Sequence, residues 1–310
     1  MGGPASPPSR ALPVALLAWG RLLRLSLAPT AAADVLAGLV LGGAGHLPAL
    51  RVCVLLVGAS LCIYHANLIL NDWRDRAADA RTRPERPLPS GAVSPAAALT
   101  ASLFLCVAGV GLAALIAPRA AAWLGAVGLL AVLYNLVGRG PWSGPLLIAA
   151  CRAGNLGLGL FVLDATAWRP WLAPAVYGAY VCCVARLGRL EDGADEGLQT
   201  GRPRRLLWTA AALLVLGGLS VSSASHPLAG LTAVCLTGAA AAGLVHRARI
   251  VKEWSPAEVQ GAMGLALRRL LVMSAAFALA SGPPEGQLVA LGILLGYPLS
   301  WGLRGAFPPS

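Results

Sequence analysis

Long apolar runs separated by short polar turns make up most of the chain. Ten such runs can be recognised, and each is close to the roughly 20 residues that an α-helix needs to cross a bilayer. They lie near residues 28–45, 48–70, 95–117, 119–138, 144–163, 170–188, 206–224, 227–246, 263–281 and 286–304. The pattern predicts an all-α bundle of transmembrane helices. We expect nine spans, with ten as the alternative, because the first and last runs are the least sharply bounded.

The segment before the first run is amphipathic rather than uniformly apolar. Residues 11–26 place Arg21 and Arg24 among leucines, which favours a helix lying in the membrane interface. The alternative is a longer, tilted first span. The predicted organisation is an N-terminal tail with an interfacial helix at 1–26, one transmembrane domain at 27–305 and a C-terminal tail at 306–310.

The composition supports a membrane location. Hydrophobic residues make up 57% of the 310 residues and charged residues only 12%, with a mean hydropathy of +0.71. Soluble domains carry about 25% charged residues, so this chain cannot cover a soluble surface. In lipid, by contrast, a helix satisfies its backbone hydrogen bonds internally. The composition therefore indicates an integral membrane protein.

The net charge of +11 is compatible with nucleic-acid binding, but the distribution of the basic residues argues against it. Lys and Arg are concentrated in the N-terminal segment and in alternate turns, whereas the turns between them hold few. This alternation follows the positive-inside rule. It predicts a multi-pass protein of the cell membrane with a cytoplasmic N-terminus and cytoplasmic loops at 71–94 and 186–205. The partner is then the lipid bilayer, and no nucleic acid is expected.

The seven cysteines lie within the apolar runs, at positions 53, 62, 106, 151, 182, 183 and 235. None has the spacing of metal ligands. We interpret them as small buried hydrophobic residues and expect neither a disulfide nor a cysteine metal site.

Eight of the 13 acidic residues form two clusters at the predicted cytoplasmic ends of spans. They are Asp72, Asp75, Asp79 and Glu85, and then Glu191, Asp192, Asp195 and Glu196. If the second span continues as a helix, Asp72, Asp75 and Asp79 fall within roughly 60° of one face. A divalent cation would relieve their repulsion, and Mg²⁺ takes such carboxylates together with substrate phosphates. Asn67 and Asn71 add amide groups one turn apart on the same side.

The alternative for the first cluster is a solvated charged loop, because five arginines interleave with the acids and exposed ion pairs contribute little. The segment that follows favours the metal site. Its prolines at 84, 87 and 89 fix a rigid extended turn, which can hold Arg83 and Arg86 toward a phosphate group.

The same segment resembles the first signature of the UbiA superfamily of intramembrane prenyltransferases. The matching residues are Asn67-xxx-Asn71-Asp72-xx-Asp75-xxx-Asp79, followed by Arg83-xx-Arg86-Pro87-Leu88-Pro89-Ser90-Gly91. The family's stretch between its two acidic motifs is similar to Tyr134-Asn135 and to Arg152-xx-Asn155 with Gly157 and Gly159. The resemblance covers roughly residues 20–280.

The second cluster departs from the family pattern, which is usually Asp-xxx-Asp, often after a lysine. The pairs that keep this spacing, with one glutamate each, are Glu191/Asp195 and Asp192/Glu196. A second Mg²⁺ site fits because glutamate also ligates Mg²⁺, and a capping-and-turn role is the alternative. This variant resembles a bacterial branch of the superfamily, the EboC-like proteins.

The resemblance implies Mg²⁺-assisted transfer of a prenyl group from an isoprenyl diphosphate to a hydrophobic or aromatic acceptor. It implies catalytic metal ligands at Asp72, Asp75, Asp79, Asp192 and Asp195, with Glu191 as a further ligand. Diphosphate contacts are implied for Asn67, Asn71, Arg83, Arg86, Arg139, Arg202 and Arg205. Tyr134 is a candidate to shield an allyl cation through its ring face, with interface anchoring as the alternative. The sequence identifies neither the acceptor nor the prenyl chain length.

Three ionisable residues fall inside predicted spans, namely Asp34, His65 and Arg152. Charge within the bilayer is costly and marks a functional or paired site. We expect Asp34 and Arg152 to pair within the bundle. The alternative is that Asp34 or His65 orients the acceptor or takes its proton.

Two other functions are compatible with the membrane pattern. A carrier or transporter of a prenylated or aromatic lipid-like molecule, with the same fold but without transfer, fits the altered second cluster and the charges inside the spans. A phosphatidyl-alcohol phosphotransferase also uses clustered aspartates, but it needs an Asp-Gly and Ala-Arg pattern that residues 71–91 lack.

Overall fold

The computed structural model describes residues 14–138, 140–191 and 201–307, and within these ranges every regular element is helical. This part of the chain holds eleven α-helices. They are α1 Val14–Leu22, α2 Ala28–Gly42, α3 Leu50–Thr82, α4 Pro95–Ala114, α5 Pro118–Leu136, α6 Ser143–Val162, α7 Leu172–Gly188, α8 Arg202–Val221, α9 Pro227–Ile250, α10 Pro256–Ala280 and α11 Pro284–Ala306. Two short 3₁₀ turns, Leu25–Leu27 and Arg169–Trp171, precede α2 and α7.

Ten of the helices, α2 to α11, are long and apolar enough to cross a membrane. All ten predicted runs are therefore confirmed as helices, and the larger of the two expected numbers of spans is the one found. The last helix, α11, extends over 23 residues although Pro298 lies inside it. The chain is an all-α, polytopic membrane protein.

Proline and serine mark the beginnings of the helices. Proline lies in the first turn of α2, α4, α5, α8, α9, α10 and α11, where its missing N–H costs no helical hydrogen bond. Ser94 and Ser255 cap α4 and α10, each accepting a hydrogen bond at 3.2 Å from the N–H three residues later. The local sequence therefore sets where these spans begin.

The N-terminal helix α1 is separate from the first span. Between them Arg24 adopts the left-handed conformation with a φ of 48°, which residues other than glycine rarely take. A hydrogen bond of 2.8 Å joins the Leu23 carbonyl to Nδ1 of His65 on α3, so tertiary contacts hold the break. The chain does not run as one long helix from α1 into α2. The position of α1 in the membrane interface stays a prediction.

Helix α2 connects the two halves of the bundle. It contacts α3 and α6 as well as α10 and α11. One buried cluster is built mainly from α7, α8 and α10, and a second from α3, α5 and α6. Helix α2 contributes to both, with Ala37 in the first and Leu39 in the second. Its two faces therefore belong to two different parts of the core.

Helices α2 and α6 meet with their backbones in contact at Gly38 and Gly159. A Cβ added to Gly38 would overlap the carbonyl oxygen of Leu156, and one added to Gly159 would overlap the backbone of Gly38 and Leu39. Small residues permit such close crossings in membrane proteins. At these two positions only glycine fits.

Helix α3 is longer than a membrane span needs to be. Its 33 residues rise roughly 50 Å, whereas a hydrocarbon core is roughly 30 Å thick. The helix continues without a break through the first acidic cluster, as the predicted common face of its three aspartates requires. Asp72, Asp75 and Asp79 therefore lie on the final turns of a helix, and the expectation of a loop beginning at residue 71 is wrong as far as residue 82.

We expect Gly159→Val to destabilise the fold, because a side chain cannot fit between the α2 and α6 backbones. Overpacking of a tight contact costs about 1–3 kcal/mol, so the thermal unfolding midpoint of the purified protein should fall by several degrees. Gly111→Val on α4 is the matched control, since a Cβ at that position meets nothing within 4 Å. An equal fall for both variants would contradict the close crossing.

Candidate functional site

A cavity of about 930 Å³ lies among helices α2, α3, α5, α6, α7, α10 and α11. Along α3 its wall consists of Ser60, Tyr64, Asn67 and Asn71, whose spacing places them on one helix face. From Ser60 to Asn71 the helix rises roughly 16 Å. The cavity therefore reaches from the first acidic cluster deep into the bundle.

The walls of the cavity are apolar and its two ends are polar. Aliphatic side chains from α5, α6 and α10 line the middle, among them Val127, Ile148 and Leu271. The polar lining residues include Arg24, Asn67 and Asn71 at the end near the acidic cluster and Ser60, Arg152 and Asn155 at the deep end. Such a space suits a long apolar molecule that carries a polar head.

Asp72 is the most deeply buried carboxylate of the first cluster, with 3% of its surface exposed. Its Oδ1 accepts a charge-assisted hydrogen bond of 2.7 Å from Nη2 of Arg24. Its Oδ2 is buried and has no hydrogen-bond partner among the described residues. Because an unsatisfied buried acceptor is unfavourable, a cation or ligand donor at this oxygen would stabilise the site.

Asp79, two turns further along α3, is paired in the same way. Nη1 of Arg86 donates a hydrogen bond of 2.7 Å to its Oδ2, and both side chains are buried. The turn after α3 is closed by a hydrogen bond of 3.0 Å from the Val93 N–H to the Pro87 carbonyl. This turn holds Arg86 on the acidic cluster, whereas Arg83 is exposed. The expectation that both arginines face a phosphate group stays a prediction.

Burial distinguishes this cluster from a charged surface. Asp72 and Asp79 are buried and Asp75 is half-buried. The charges of both Arg24 and Arg86 act on Asp72, so the two ion pairs form one electrostatic unit. The alternative of a solvated charged loop does not describe these side chains.

The first cluster fits Mg²⁺ as a bound ion. Mg²⁺ is usually held by one or two carboxylates, while substrate phosphates and waters complete its shell. Asp72 offers its buried Oδ2, and Asp75 carries a second carboxylate on the same helix face. The described ranges contain no group of three His, Cys, Asp or Glu side chains that could hold a metal alone. The ion would therefore also need ligands from a substrate or from the second cluster.

Helix α5 is bonded to the polar face of α3. The buried Asn135 side chain donates a hydrogen bond to Oδ1 of Asn67, while Arg74 donates to the carbonyls of Asn135 and Leu136 at 2.8 Å each. These bonds fix the orientation of Asn67, which lines the cavity. Tyr134, whose ring was expected to face an allyl cation, lines the same cavity.

The predicted pair of Asp34 and Arg152 is confirmed at the deep end of the cavity. Asp34 is fully buried, and its Oδ2 lies 3.1 Å from Nη2 of Arg152. The Tyr177 hydroxyl donates to Asp34 and accepts from Arg152 at 2.8 Å. Asn155 and Ser274 donate to the same carboxylate at 3.3 Å each. The charges cancel and the carboxylate is hydrogen-bonded throughout, which is the condition for ionised groups inside a membrane.

The second acidic cluster is described only at its first residue. Glu191 follows α7, and its Oε1 accepts a hydrogen bond of 3.3 Å from Nε2 of Gln260 on α10. Asp192 and Asp195 lie outside the residues that the structure describes. The binding of a second Mg²⁺ by these three side chains stays a prediction.

Two further arginines that were predicted to contact diphosphate do not line the cavity. Arg202 and Arg205 are exposed on α8, and neither belongs to the described residues that line the cavity. Arg139 lies outside the described ranges. His65, the third ionisable residue expected inside a span, is bonded to the Leu23 carbonyl. Diphosphate contacts by these three arginines stay predictions.

Three residues at the site were not assigned to it from the sequence. Arg24, expected only as part of an interfacial helix, reaches Asp72 from its left-handed turn. Tyr177 and Ser274 complete the hydrogen bonds of Asp34. A basic residue just before the first span was a usable signal for Arg24. Tyrosine and serine inside apolar runs give no comparable signal.

A family model and several known proteins match this chain. The model of the UbiA prenyltransferase family matches residues 31–273. A digeranylgeranylglyceryl phosphate synthase from Halobacterium salinarum is 34% identical over 198 residues, which is 59% of this chain and 68% of that protein.

Two shorter matches are more closely identical. A digeranylgeranylglyceryl phosphate synthase from Methanothrix thermoacetophila is 44% identical over 86 residues, or 28% of this chain. The chloroplastic chlorophyll synthase of Oryza sativa subsp. japonica is 43% identical over 65 residues, or 21% of this chain. The chain spans 32% of the length of the first protein and 17% of the second.

Solved structures share the fold. A structure of digeranylgeranylglyceryl phosphate synthase superposes with a TM-score of 0.58 at 18% identity, covering 86% of this chain and 98% of that one. A UbiA homologue from Archaeoglobus fulgidus bound to GPP and Mg²⁺ gives a TM-score of 0.58 at 17% identity, covering 85% and 99%. Since the family model matches most of the chain and the fold agrees, this chain belongs to the UbiA prenyltransferase family.

Proposed function

We propose that this protein is an intramembrane prenyltransferase that moves an isoprenyl group from an isoprenyl diphosphate to an acceptor. The observation that carries the proposal is that the buried Asp72 lies beside the polar end of a deep apolar cavity, where its partner Arg24 and its neighbour Asn71 line the wall. A diphosphate bound at this end would have its prenyl chain inside the cavity. The named ligands of the A. fulgidus homologue, GPP and Mg²⁺, support this combination of donor and metal.

Mg²⁺ is the metal that the proposed site would hold. The proposed ligands are Asp72, Asp75 and Asp79 in the first cluster and Glu191, Asp192 and Asp195 in the second. When bound, Mg²⁺ neutralises the charge of a departing diphosphate. Further proposed diphosphate contacts are Asn67, Asn71, Arg83, Arg86, Arg139, Arg202 and Arg205.

Arginine residues give the first cluster a nearly balanced charge before a donor arrives. Arg24 and Arg86 each neutralise one buried aspartate. In the proposed reaction the allylic C–O bond breaks, and its electron pair leaves with the diphosphate. The nucleophilic atom of the acceptor then bonds to the same carbon and releases a proton. Charged groups that are already in position stabilise such a step without reorienting during it.

The cavity is suited to an isoprenyl chain and to a short-lived cation. Its volume of about 930 Å³ lies within the roughly 300–1,000 Å³ usual for ligand pockets. Its aliphatic walls exclude water, which would otherwise capture the cation. The ring of Tyr134, which lines the cavity, can stabilise positive charge through its face.

The acceptor is proposed to be a hydrophobic or aromatic molecule that arrives from the lipid bilayer. The match over 198 residues is to a protein named for digeranylgeranylglyceryl phosphate, which favours a glycerol lipid. The distribution of Lys and Arg along the chain supports an N-terminus and two acidic clusters on the cytoplasmic side. The donor would then bind from the cytoplasmic side.

The second candidate function is that of a carrier with the same fold, which binds a prenylated or aromatic lipid-like molecule without transfer. The buried ionic network of Asp34 and Arg152 favours it, because a polar group at the deep end plays no part in the departure of diphosphate. The two candidates differ in a measurable way, since only the enzyme releases diphosphate.

Release of diphosphate tests the first candidate. We expect the purified protein in lipid to release it from geranyl, farnesyl or geranylgeranyl diphosphate only when Mg²⁺ is present. Asp72→Ala combined with Asp75→Ala should lower the rate about a hundredfold or more, which is typical of lost electrostatic stabilisation. Donor binding without release would favour the carrier. Absence of both donor binding and diphosphate release would contradict the proposed diphosphate site.

The buried pair of Arg86 and Asp79 gives a second test. Arg86→Gln leaves Asp79 buried without its cation, a change that costs about 3–5 kcal/mol, so both the release rate and the unfolding midpoint should fall. Arg81→Gln is the matched control, because Arg81 is exposed five residues away and its loss should change stability by less than about 0.5 kcal/mol. Similar behaviour of the two variants would show that Arg86 has no special role.

A further inference from the structure

Several polar atoms around the cavity are buried without a hydrogen-bond partner among the described residues. They are Nε of Arg24, Oγ of Ser26, Nε of Arg152 and Oγ of Ser300. Buried polar groups in proteins are nearly always bonded, so each exception needs an explanation. The two arginines form other bonds. The side chain of Ser26 is fully buried, and within the described ranges neither serine hydroxyl bonds to anything.

The two serines reach the cavity at one level from different elements. Ser26 lies in the 3₁₀ turn before α2 and Ser300 lies on α11, which packs against that turn. Close packing at Gly296 fixes the position of α11 relative to α2 and α10, because a Cβ at this glycine would lie 3.3 Å from Pro29 and 3.6 Å from Leu271. Ser300 is one turn after Gly296, and Ser26 is about one turn before Pro29. Helices α2 and α11 are the first and tenth spans and run in opposite directions. Ser26, before Pro29, and Ser300, after Gly296, therefore lie toward the same end of the bundle.

Arg268 on α10 reaches the same level. It precedes Leu271 by three residues, and α10, the ninth span, runs in the same direction as α2. Its side chain lines the cavity, and no hydrogen bond or ion pair joins it to the part of the chain that the structure describes. Its neighbour Arg269 faces α9, with its guanidinium against Gly243. One cation and two hydroxyls therefore line the cavity at about the same level of the bundle.

We propose that Ser26, Arg268 and Ser300 form an anion-binding subsite that holds the phosphate head group of a lipid acceptor. This inference rests on the proposed prenyl transfer, because it assigns the second substrate of that reaction. Two hydroxyl donors and a guanidinium match the several acceptor oxygens of a phosphate group. The apolar walls of the cavity are available to the chain of the same lipid.

Arg24 separates this subsite from the acidic cluster. Its Nη2 is bonded to Asp72, whereas its Nε is buried beside the cavity. A diphosphate with its metal on the Asp72 side and a phosphate on the Ser26 side would therefore share one cation between them. This arrangement brings the head of the acceptor close to the end of the donor where the C–O bond breaks.

The location on α11 suits a molecule that enters from the bilayer. Trp301, next to Ser300, lines the cavity although 81% of its surface is exposed, and tryptophan is favoured at membrane interfaces. The family model ends at residue 273, so Ser300 belongs to a helix outside the segment that defines the family. The relatives named for digeranylgeranylglyceryl phosphate support a lipid with a phosphate head.

Binding of a single-chain phospholipid tests the subsite. The probe is a long-chain 1-O-alkylglycerol phosphate, offered to the full chain in phosphatidylcholine nanodiscs, with the phosphate-free alkylglycerol as the matched ligand. Arg268→Gln should weaken binding of the phosphate lipid about tenfold or more, since a charge-assisted hydrogen bond is lost. Ser300→Ala should weaken it a few-fold. Neither variant should change binding of alkylglycerol, and Arg269→Gln, which removes the same charge one residue away, should change neither affinity.

Three results would overturn the proposal. One is full affinity for the phosphate lipid in Arg268→Gln and Ser300→Ala. Another is an equal loss of Mg²⁺-dependent binding of farnesyl thiodiphosphate, which would place Arg268 in the donor site. The third is displacement of the lipid by inorganic phosphate at a similar concentration, which would indicate a site for free anions.

Two further measurements separate this proposal from misfolding and from failure of the enzymatic function. Arg268→Lys keeps the charge and should retain most of the affinity, which a fold damaged at this position would not. If the wild type releases no diphosphate but its binding of the phosphate lipid depends on Arg268, prenyl transfer fails as a function while the subsite stands. If the wild type releases diphosphate normally but its binding of the phosphate lipid does not depend on Arg268, the subsite is wrong while the proposed prenyl transfer stands.

Discussion

The ionic network around Asp34 determines which helices must pack together at the centre of the bundle. A carboxylate inside a membrane is tolerated only when it is paired and hydrogen-bonded. Its partners here come from α6, α7 and α10, and Ser60 of α3 is attached through Asn155. Five helices must therefore meet at one point. The close crossing of α2 and α6 also brings the network together. Asp34 and Asn155 are bonded to each other between these two helices, and Gly38 and Gly159 each lie one turn further along.

Paired charges also organise the opposite end of the cavity, but with a different consequence. The Arg24–Asp72 and Arg86–Asp79 pairs are buried at the last turns of α3, and Arg24 lines the cavity. In the proposed reaction Arg24 and Arg86 could exchange a carboxylate partner for a phosphate oxygen of the donor, which would leave Asp72 and Asp79 available to hold Mg²⁺. The two arginines would then balance part of the charge of the donor. The deep network has no such freedom, since every oxygen of Asp34 is already bonded within the protein.

The sequence was sufficient for the spans, for the common face of the three aspartates once α3 is taken to continue through them, and for the Asp34–Arg152 pair. Each of these follows from a local rule, namely apolar length, helical spacing and the cost of charge in lipid. The position of Arg24 did not follow, because its left-handed turn is held by contacts with α3 that are distant in sequence. The difference between buried Arg86 and exposed Arg83 likewise depends on how one turn folds back. The contribution of α11 to the cavity required knowledge of which helices become neighbours.

Helix α3 carries both polar ends of the cavity on one continuous rod. Asn71 stands beside the acidic cluster, and Ser60 is bonded into the deep network, so helix geometry sets the distance between them. Substitutions on the surface of a helix cannot lengthen it. A change in the size of the molecule accommodated must therefore come from the facing walls, and α11 is one of these walls. Evolution can reshape that one helix to reach new substrates while the reacting end is inherited unchanged.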